Sequence, residues 1–134
     1  MRFVDSNVLL YHLADDPRYG KKASGIMERI EGGEPAATST LVISQVCGYL
    51  RWKKRQDAIP AFVLFLRSLP SLSKISTEFA DIVGAQEFSV QHKLDGKLWD
   101  DVVITIQMMR MSINEIYSND TDFDTIPGIK RVFE

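Results

Sequence analysis

Apolar and polar positions along this chain alternate between two rhythms. Short extended runs give way to longer stretches in which apolar residues recur every third or fourth place. Residues 2–5, Arg2-Phe3-Val4-Asp5, form the first extended run, and Ser6 or Asn7 can cap a short helix through Val8, Leu9, Leu10 and Leu13. Asp15-Asp16-Pro17 ends that helix, because a proline disfavours helical geometry at the residue before it. A second helix is predicted from Arg18 to Ile30, with Ala23, Ile26, Met27 and Ile30 on one face and Gly32-Gly33 as its stop. Ala36-Ala37-Thr38 reads as a strand. Ser39 or Thr40 then caps a long helix with Leu41, Val42, Val46, Tyr49 and Leu50 on its apolar side. That helix ends in Arg51-Trp52-Lys53-Lys54-Arg55, where cations suit the helix dipole.

Asp57 is the expected cap of the next helix, which tolerates Pro60 in its first turn and carries Phe62, Val63, Phe65, Leu66 and Leu69 before Pro70. Ser71 to Ile75 alternates as a strand does. Ser76 or Thr77 is the expected cap of a helix with Phe79, Ile82, Val83, Phe88 and Val90 as its apolar set. After a break at Gly96, Leu98 to Met111 predicts a strongly apolar helix, and Ile113 to Tyr117 a strand that leads into Ser118-Asn119-Asp120-Thr121-Asp122-Phe123-Asp124. Ile126 to Ile129 is a turn and Lys130 to Phe133 a last short strand. Strands and helices in alternation predict an α/β domain over residues 1–134. It has a central parallel sheet of about four to five short strands between two layers of helices.

Composition narrows the classes without choosing among them. With 134 residues, 45% hydrophobic and 25% charged, the chain can bury a core of its own. No apolar run is long enough to span a bilayer, and Asp5, Asn7, Asp15 and Asp16 break the pattern of a signal peptide, so the expected location is cytoplasmic, with no membrane partner. The single cysteine, Cys47, excludes an intrachain disulfide and reads as a small core residue. A net charge of −2 excludes a strongly basic nucleic-acid coat but permits a local basic patch.

The acids change the picture. Asp5 and Asp120 each follow an apolar strand at its C-terminal end, where open parallel sheets bind ligands, and Asp122 shares the loop of Asp120. Asp101 lies in the first turn of an apolar helix. Its neighbour Asp100 points about 100° away and reads as a surface acid. Each acid has an ordinary reading: Asp5 as a helix cap, Asp101 as a charge favoured by a helix N-terminus, and the Asp120–Asp122 loop as turn chemistry. Converging on one rim, they would repel one another in a low dielectric. A hard divalent cation, magnesium or manganese, resolves that repulsion. Held there, it can polarise a phosphoryl oxygen and activate water, which points to phosphodiester hydrolysis.

These blocks resemble a known family. Val4-Asp5-Ser6-Asn7-Val8-Leu9-Leu10, Asp101-Val102-Val103-Ile104-Thr105 and Ile116-Tyr117-Ser118-Asn119-Asp120-Thr121-Asp122-Phe123, followed by Ile126-Pro127-Gly128-Ile129, are similar to a PIN domain. The likeness is to the small VapC-type toxin ribonucleases, and it covers essentially the whole chain. It implies a Rossmann-like sheet and a Mg2+- or Mn2+-dependent ribonuclease acting on RNA. It also implies the toxin of a toxin–antitoxin pair, with a small antitoxin as partner and a homodimer as the expected assembly. By the same resemblance Asp5 is the first acid, Asp101 the third, and Asp120 or Asp122 the fourth. Ser118, with Ser6 and Asn7, supports them.

The family places a Glu on the helix after the second strand; here that position is Gln45. An amide can still offer an oxygen but carries no charge and cannot act as a base. The departure leaves a second reading open, a weakened or inactive member that binds RNA or protein. An aspartyl phosphatase of the haloacid dehalogenase type is disfavoured, because it needs a second acid where Asn7 stands. A receiver domain is disfavoured because it needs an acidic pair ahead of the first acid. Arg51, Lys53, Lys54 and Arg55, with Trp52 among them, are candidate RNA contacts against the plainer reading of a solvated helix end. His12 and His92 show no metal-ligand spacing and read as surface or capping residues.

Overall fold

Asp5 is where the first strand turns into the first helix, and the rest of the fold is built around that turn. The structure, a computed structural model, describes all residues from Met1 to Glu134. Strand β1 (Arg2–Val4) is followed by α1 (Ser6–Ala14), α2 (Gly20–Glu31), β2 (Ala36–Ser39), α3 (Thr40–Trp52), α4 (Ile59–Arg67), β3 (Leu72–Ile75), α5 (Phe79–Gln91), α6 (Trp99–Arg110), β4 (Glu115–Tyr117) and β5 (Lys130–Val132). The five strands form one sheet in the order β3-β2-β1-β4-β5. Every neighbouring pair is parallel. The chain builds outward from β1 through β2 to β3, then crosses to the other side of β1 for β4. Such a reversal opens a crevice beyond the C-terminal ends of the two strands beside it, here β1 and β4.

The central strands carry no charge on their buried faces. Phe3, Val4, Ile116 and Tyr117 are fully buried, and β2 is made of small residues, all buried. Thr38 donates its hydroxyl to the Val4 carbonyl at 3.0 Å, tying β2 to the end of β1. The helices cover the sheet with Val8, Leu9, Ile26, Ile30, Val42, Val46, Phe62, Leu66, Ile104 and Met108. Cys47 packs, partly buried, against this core. No helix is long and apolar enough to cross a membrane.

Several local expectations are corrected. Helix α2 begins at Gly20 rather than Arg18, because the Asp16 carboxylate accepts the Arg18 and Tyr19 N–H groups and holds them in a turn. Asp57 does not cap α4: it lies in a 3-10 turn over Gln56–Ala58 and meets Arg55, leaving Ala58 at the helix N-cap. Nor do Ser76 or Thr77 cap α5. Glu78 does, in a capping box with Asp81, while the Thr77 hydroxyl is taken by the Leu41 N–H and the Gln107 amide. On α5, Phe79, Ile82, Val83 and Val90 are exposed, and the buried residues are Asp81 and Ala85. The reason is that α5 faces α6 through its polar side. Arg110 of α6 pairs with the buried Asp81 at 2.8 Å, and Gly84 lies where a Cβ would come within 3.0 Å of Ile106. On α4, Phe62 and Leu66 are buried while Val63 and Leu64 are exposed. His12 is partly buried: its Nδ1 meets the Ser24 hydroxyl at 2.8 Å and its ring lies against Phe65.

Candidate active site

The end of β1 delivers Asp5 into the crevice, 4% exposed, with its backbone N–H held by the Tyr117 carbonyl of β4. A buried carboxylate needs donors, and three supply them. The Ser6 N–H bonds Oδ1 at 2.8 Å, so Asp5 also caps α1 in place of Ser6 or Asn7; the Asn7 amide reaches Oδ2 at 3.1 Å, and the Ser118 hydroxyl reaches it at 2.7 Å. Ser118 is itself fully buried at the end of β4. Its Oγ accepts from the Asn7 amide at 3.1 Å and from the Asp120 N–H at 3.0 Å. Asn7 Oδ1 then accepts the Asn119 N–H at 3.1 Å. Ser118 and Asn7 therefore lock the β1 and β4 loops together. Asn119, whose side chain bonds the Tyr11 hydroxyl, escapes sequence reasoning because no local pattern marks it.

Three further acids stand in front of this network. Asp101 comes from the first turn of α6, and Asp120 and Asp122 from the loop after β4. One carboxylate oxygen of each lies within 4.8 Å of the others. No protein group donates to the Asp101 carboxylate. Burial, then the charges of Asp120, Asp5, Asp122 and Asp100, push its pKa from 3.8 up to about 8. Burial also raises the pKa of Asp5, with Asp120 adding to it, against the lowering effect of the Ser118 and Ser6 hydrogen bonds. The cluster is short of positive charge. Arg131, which reaches the Ser118 carbonyl at 3.4 Å, is paired with Asp124 at 3.1 Å.

Gln45 stands where the resemblance expects a Glu, on α3. Its amide nitrogen donates to exposed Asp100 at 2.9 Å, and its Oε1 is buried with no donor. The two adjacent acids of α6 are thus divided, Asp101 to the cluster and Asp100 to Gln45. The site is an open rim rather than an enclosed pocket. A concavity of about 360 Å³ opens beside Asn119, lined also by Lys22, Lys130 and Arg131. Arg51 lies in the last turn of α3 and Lys53, Lys54 and Arg55 just beyond it, at the end of the helix opposite Thr40.

Oxygen-only donors, three carboxylates in mutual reach and an uncompensated negative field form a donor set suited to a hard divalent cation. Comparison with known proteins identifies the family. The model of the PIN domain family matches residues 2–129. Two curated relatives, a VapC ribonuclease of Mycobacterium bovis and ribonuclease VapC13 of Mycobacterium tuberculosis, are each 27% identical over 135 residues, covering 98% of this chain and 99% of the relative. Among solved structures, VapC20 of Mycobacterium tuberculosis, a sarcin-ricin loop cleaving toxin, superposes with a TM-score of 0.83 at 17% identity over 100% of both chains. VapBC2 of Rickettsia felis, bound to a promoter DNA fragment, gives 0.73 at 14% identity over 98% of this chain and 96% of its match. A toxin–antitoxin complex from Klebsiella pneumoniae gives 0.65 at 17% identity over 97% of this chain and 96% of its match.

Proposed function

The chain belongs to the PIN domain family, and on that premise we propose that it is a divalent-metal-dependent endoribonuclease and the toxin of a toxin–antitoxin pair. The observation that carries the reading is the cluster of Asp101, Asp120 and Asp122 in front of buried Asp5, at the point where the strand order reverses. Asp101, Asp120 and Asp122 would hold the cation, magnesium or manganese, and Asp5 would complete the negative field behind it. When bound, the cation supplies Lewis-acid activation of the phosphodiester and of water. The protein's own groups do the positioning. Ser118 and Asn7 keep Asp5 turned toward the rim, and the Ser118 hydroxyl fixes the start of the Asp120–Asp122 loop through the Asp120 N–H.

The named activities of the VapC relatives support RNA as substrate, and the toxin–antitoxin complex among the structural neighbours supports a small antitoxin as partner. We infer a cytoplasmic location, where such an RNA substrate would be met. Gln45 leaves the site one charge poorer than a Glu would, so we expect a metal requirement shifted to higher concentrations rather than a loss of cleavage. Purified protein should cut single-stranded RNA with manganese and stop on chelation, and Asp5→Asn should be inactive. Equal cleavage with and without chelator, or an active Asp5→Asn protein, would sink the proposal.

A further inference from the structure

The stripe of α3 that runs away from the acid cluster ends in an aromatic and basic face that the fold does not use. Gln45, Tyr49 and Trp52 lie at i, i+4 and i+7, so they share one side of the helix. Gln45 sits at the cluster end, bonded to Asp100, and Trp52 lies about 10 Å further along the axis at 1.5 Å per residue. Trp52 is 73% exposed and Tyr49 44% exposed. Their rings pair at 5.9 Å, and the Lys53 ammonium stands 4.9 Å from the Trp52 ring centre and 5.8 Å from that of Tyr49. Burial does not explain the Trp52 ring, and it takes only part of Tyr49, which borders an apolar groove of about 460 Å³ with Leu10, Leu13 and Leu50. The cations are equally unspent: Arg51, Lys53 and Lys54 form no ion pair, whereas Arg55 meets Asp57. No acid lies between Thr40 and Gln56. Lys54 is held in the left-handed conformation that closes the helix, φ 58°, a place where glycine is unstrained and a lysine is not.

We infer that Trp52 and Tyr49 form a stacking subsite for one unpaired base of the RNA substrate, with Arg51, Lys53 and Lys54 holding the phosphates beside it. The inference rests on the ribonuclease reading and deepens it. A basic aromatic face complements a polyanion with exposed ring faces. Its offset of about 10 Å along α3 from Gln45 assigns the stacked base to a neighbouring nucleotide, not the one being cut. A paired base hides its faces in the helix stack, so the subsite selects single-stranded or loop RNA over duplex.

The chain has two tryptophans, Trp52 and Trp99, so Trp99→Phe makes Trp52 the only indole reporter. In that background, with chelator present to prevent cleavage, a short single-stranded RNA should quench indole fluorescence, and the same RNA annealed to its complement should not. Trp52→Ala should weaken single-strand binding by about 5- to 160-fold, the usual range for one stacked base, while Trp52→Phe keeps most of it. Replacing Lys53 and Lys54 by Gln should flatten the salt dependence of binding by about two phosphate contacts. In the cleavage reaction, Trp52→Ala should raise KM and leave kcat near the wild-type value. Because the residue is exposed, the variant should melt with the wild type. Equal single-strand affinity for wild type and Trp52→Ala, or equal quenching by duplex, overturns the inference. So does an indole that ignores RNA and responds to a co-expressed antitoxin, which would assign the face to protein. The two readings fail separately. Quenching without cleavage by any variant supports the subsite and sinks the nuclease; cleavage indifferent to Trp52 does the reverse.

Discussion

Replacing Asp101 by Asn should make the metal-free protein more stable while destroying its response to metal. In the folded state the Asp101 carboxyl is pushed from 3.8 to about 8 by burial and by Asp120, Asp5, Asp122 and Asp100. A carboxyl whose pKa is raised on folding contributes stability that is complete below the unfolded value and lost as pH climbs through the folded value. The window therefore runs from 3.8 to about 8. At ~1.4 kcal/mol for each tenfold change, the span corresponds to ~6 kcal/mol for an enclosed charge, and solvent screening of a half-exposed group reduces this to about 2 kcal/mol. No protein donor bonds Asp101, so Asn forfeits no hydrogen bond. For a chain of this length about 2 kcal/mol is a Tm difference of roughly 7 °C. The assay is a melting series in chelator from acid to mildly alkaline pH, repeated with manganese. Wild type should lose stability as pH rises and regain it with manganese. Asp101→Asn should lose less Tm than the wild type across the range, with buried Asp5 keeping part of the slope, exceed the wild type at the alkaline end and ignore the metal. Matching pH profiles for the two proteins, or a wild type that gains stability with pH in chelator, would refute the reasoning.

Gln45→Glu should bind manganese more tightly, by about tenfold for one added nearby charge, and should lower the Tm in chelator because the new carboxylate faces Asp100; calorimetric titration and melting check the two signs. Ser118→Ala removes a hydroxyl that makes three hydrogen bonds and leaves Asp5 short of a buried donor. It should cost about 2 kcal/mol in urea unfolding and weaken cleavage, whereas a loss under ~0.5 kcal/mol would show the network is not closed in solution. Arg110→Met strands the Asp81 carboxylate, which is 1% exposed. It should cost about 3 kcal/mol in the same unfolding assay, and an Asp81→Asn, Arg110→Met pair should recover part of that loss.

The parts of the fold readable from sequence are those set by neighbours in the chain. The apolar run Phe3-Val4 ending at Asp5 marks a strand that stops on an acid, and Pro17, Gly32 and Pro70 mark where helices stop, because steric restriction acts within a residue or two. The failures are equally physical. Phe79, Ile82, Val83 and Val90 have helical spacing, but spacing does not say which side meets a partner. Asp81 and Gly84 turn the polar side inward because Arg110, 29 residues away, neutralises one and Ile106 fills the space over the other. At the site the division is sharpest. The acids are legible one at a time, since each ends a strand or opens a helix. What holds them is not: Asn7 to Ser118 spans 111 positions, and Gln45 to Asp100 spans 55. A cluster in which one acid is driven to about 8 can persist only if bonds elsewhere offset its repulsion. Here those bonds come from neutral donors, Ser118, Asn7 and the Ser6 and Asp120 N–H groups. They orient the carboxylates without neutralising them. A lysine in any of those places would calm the cluster and remove its appetite for a cation, so neutral donors are the arrangement that keeps both the fold and the charge.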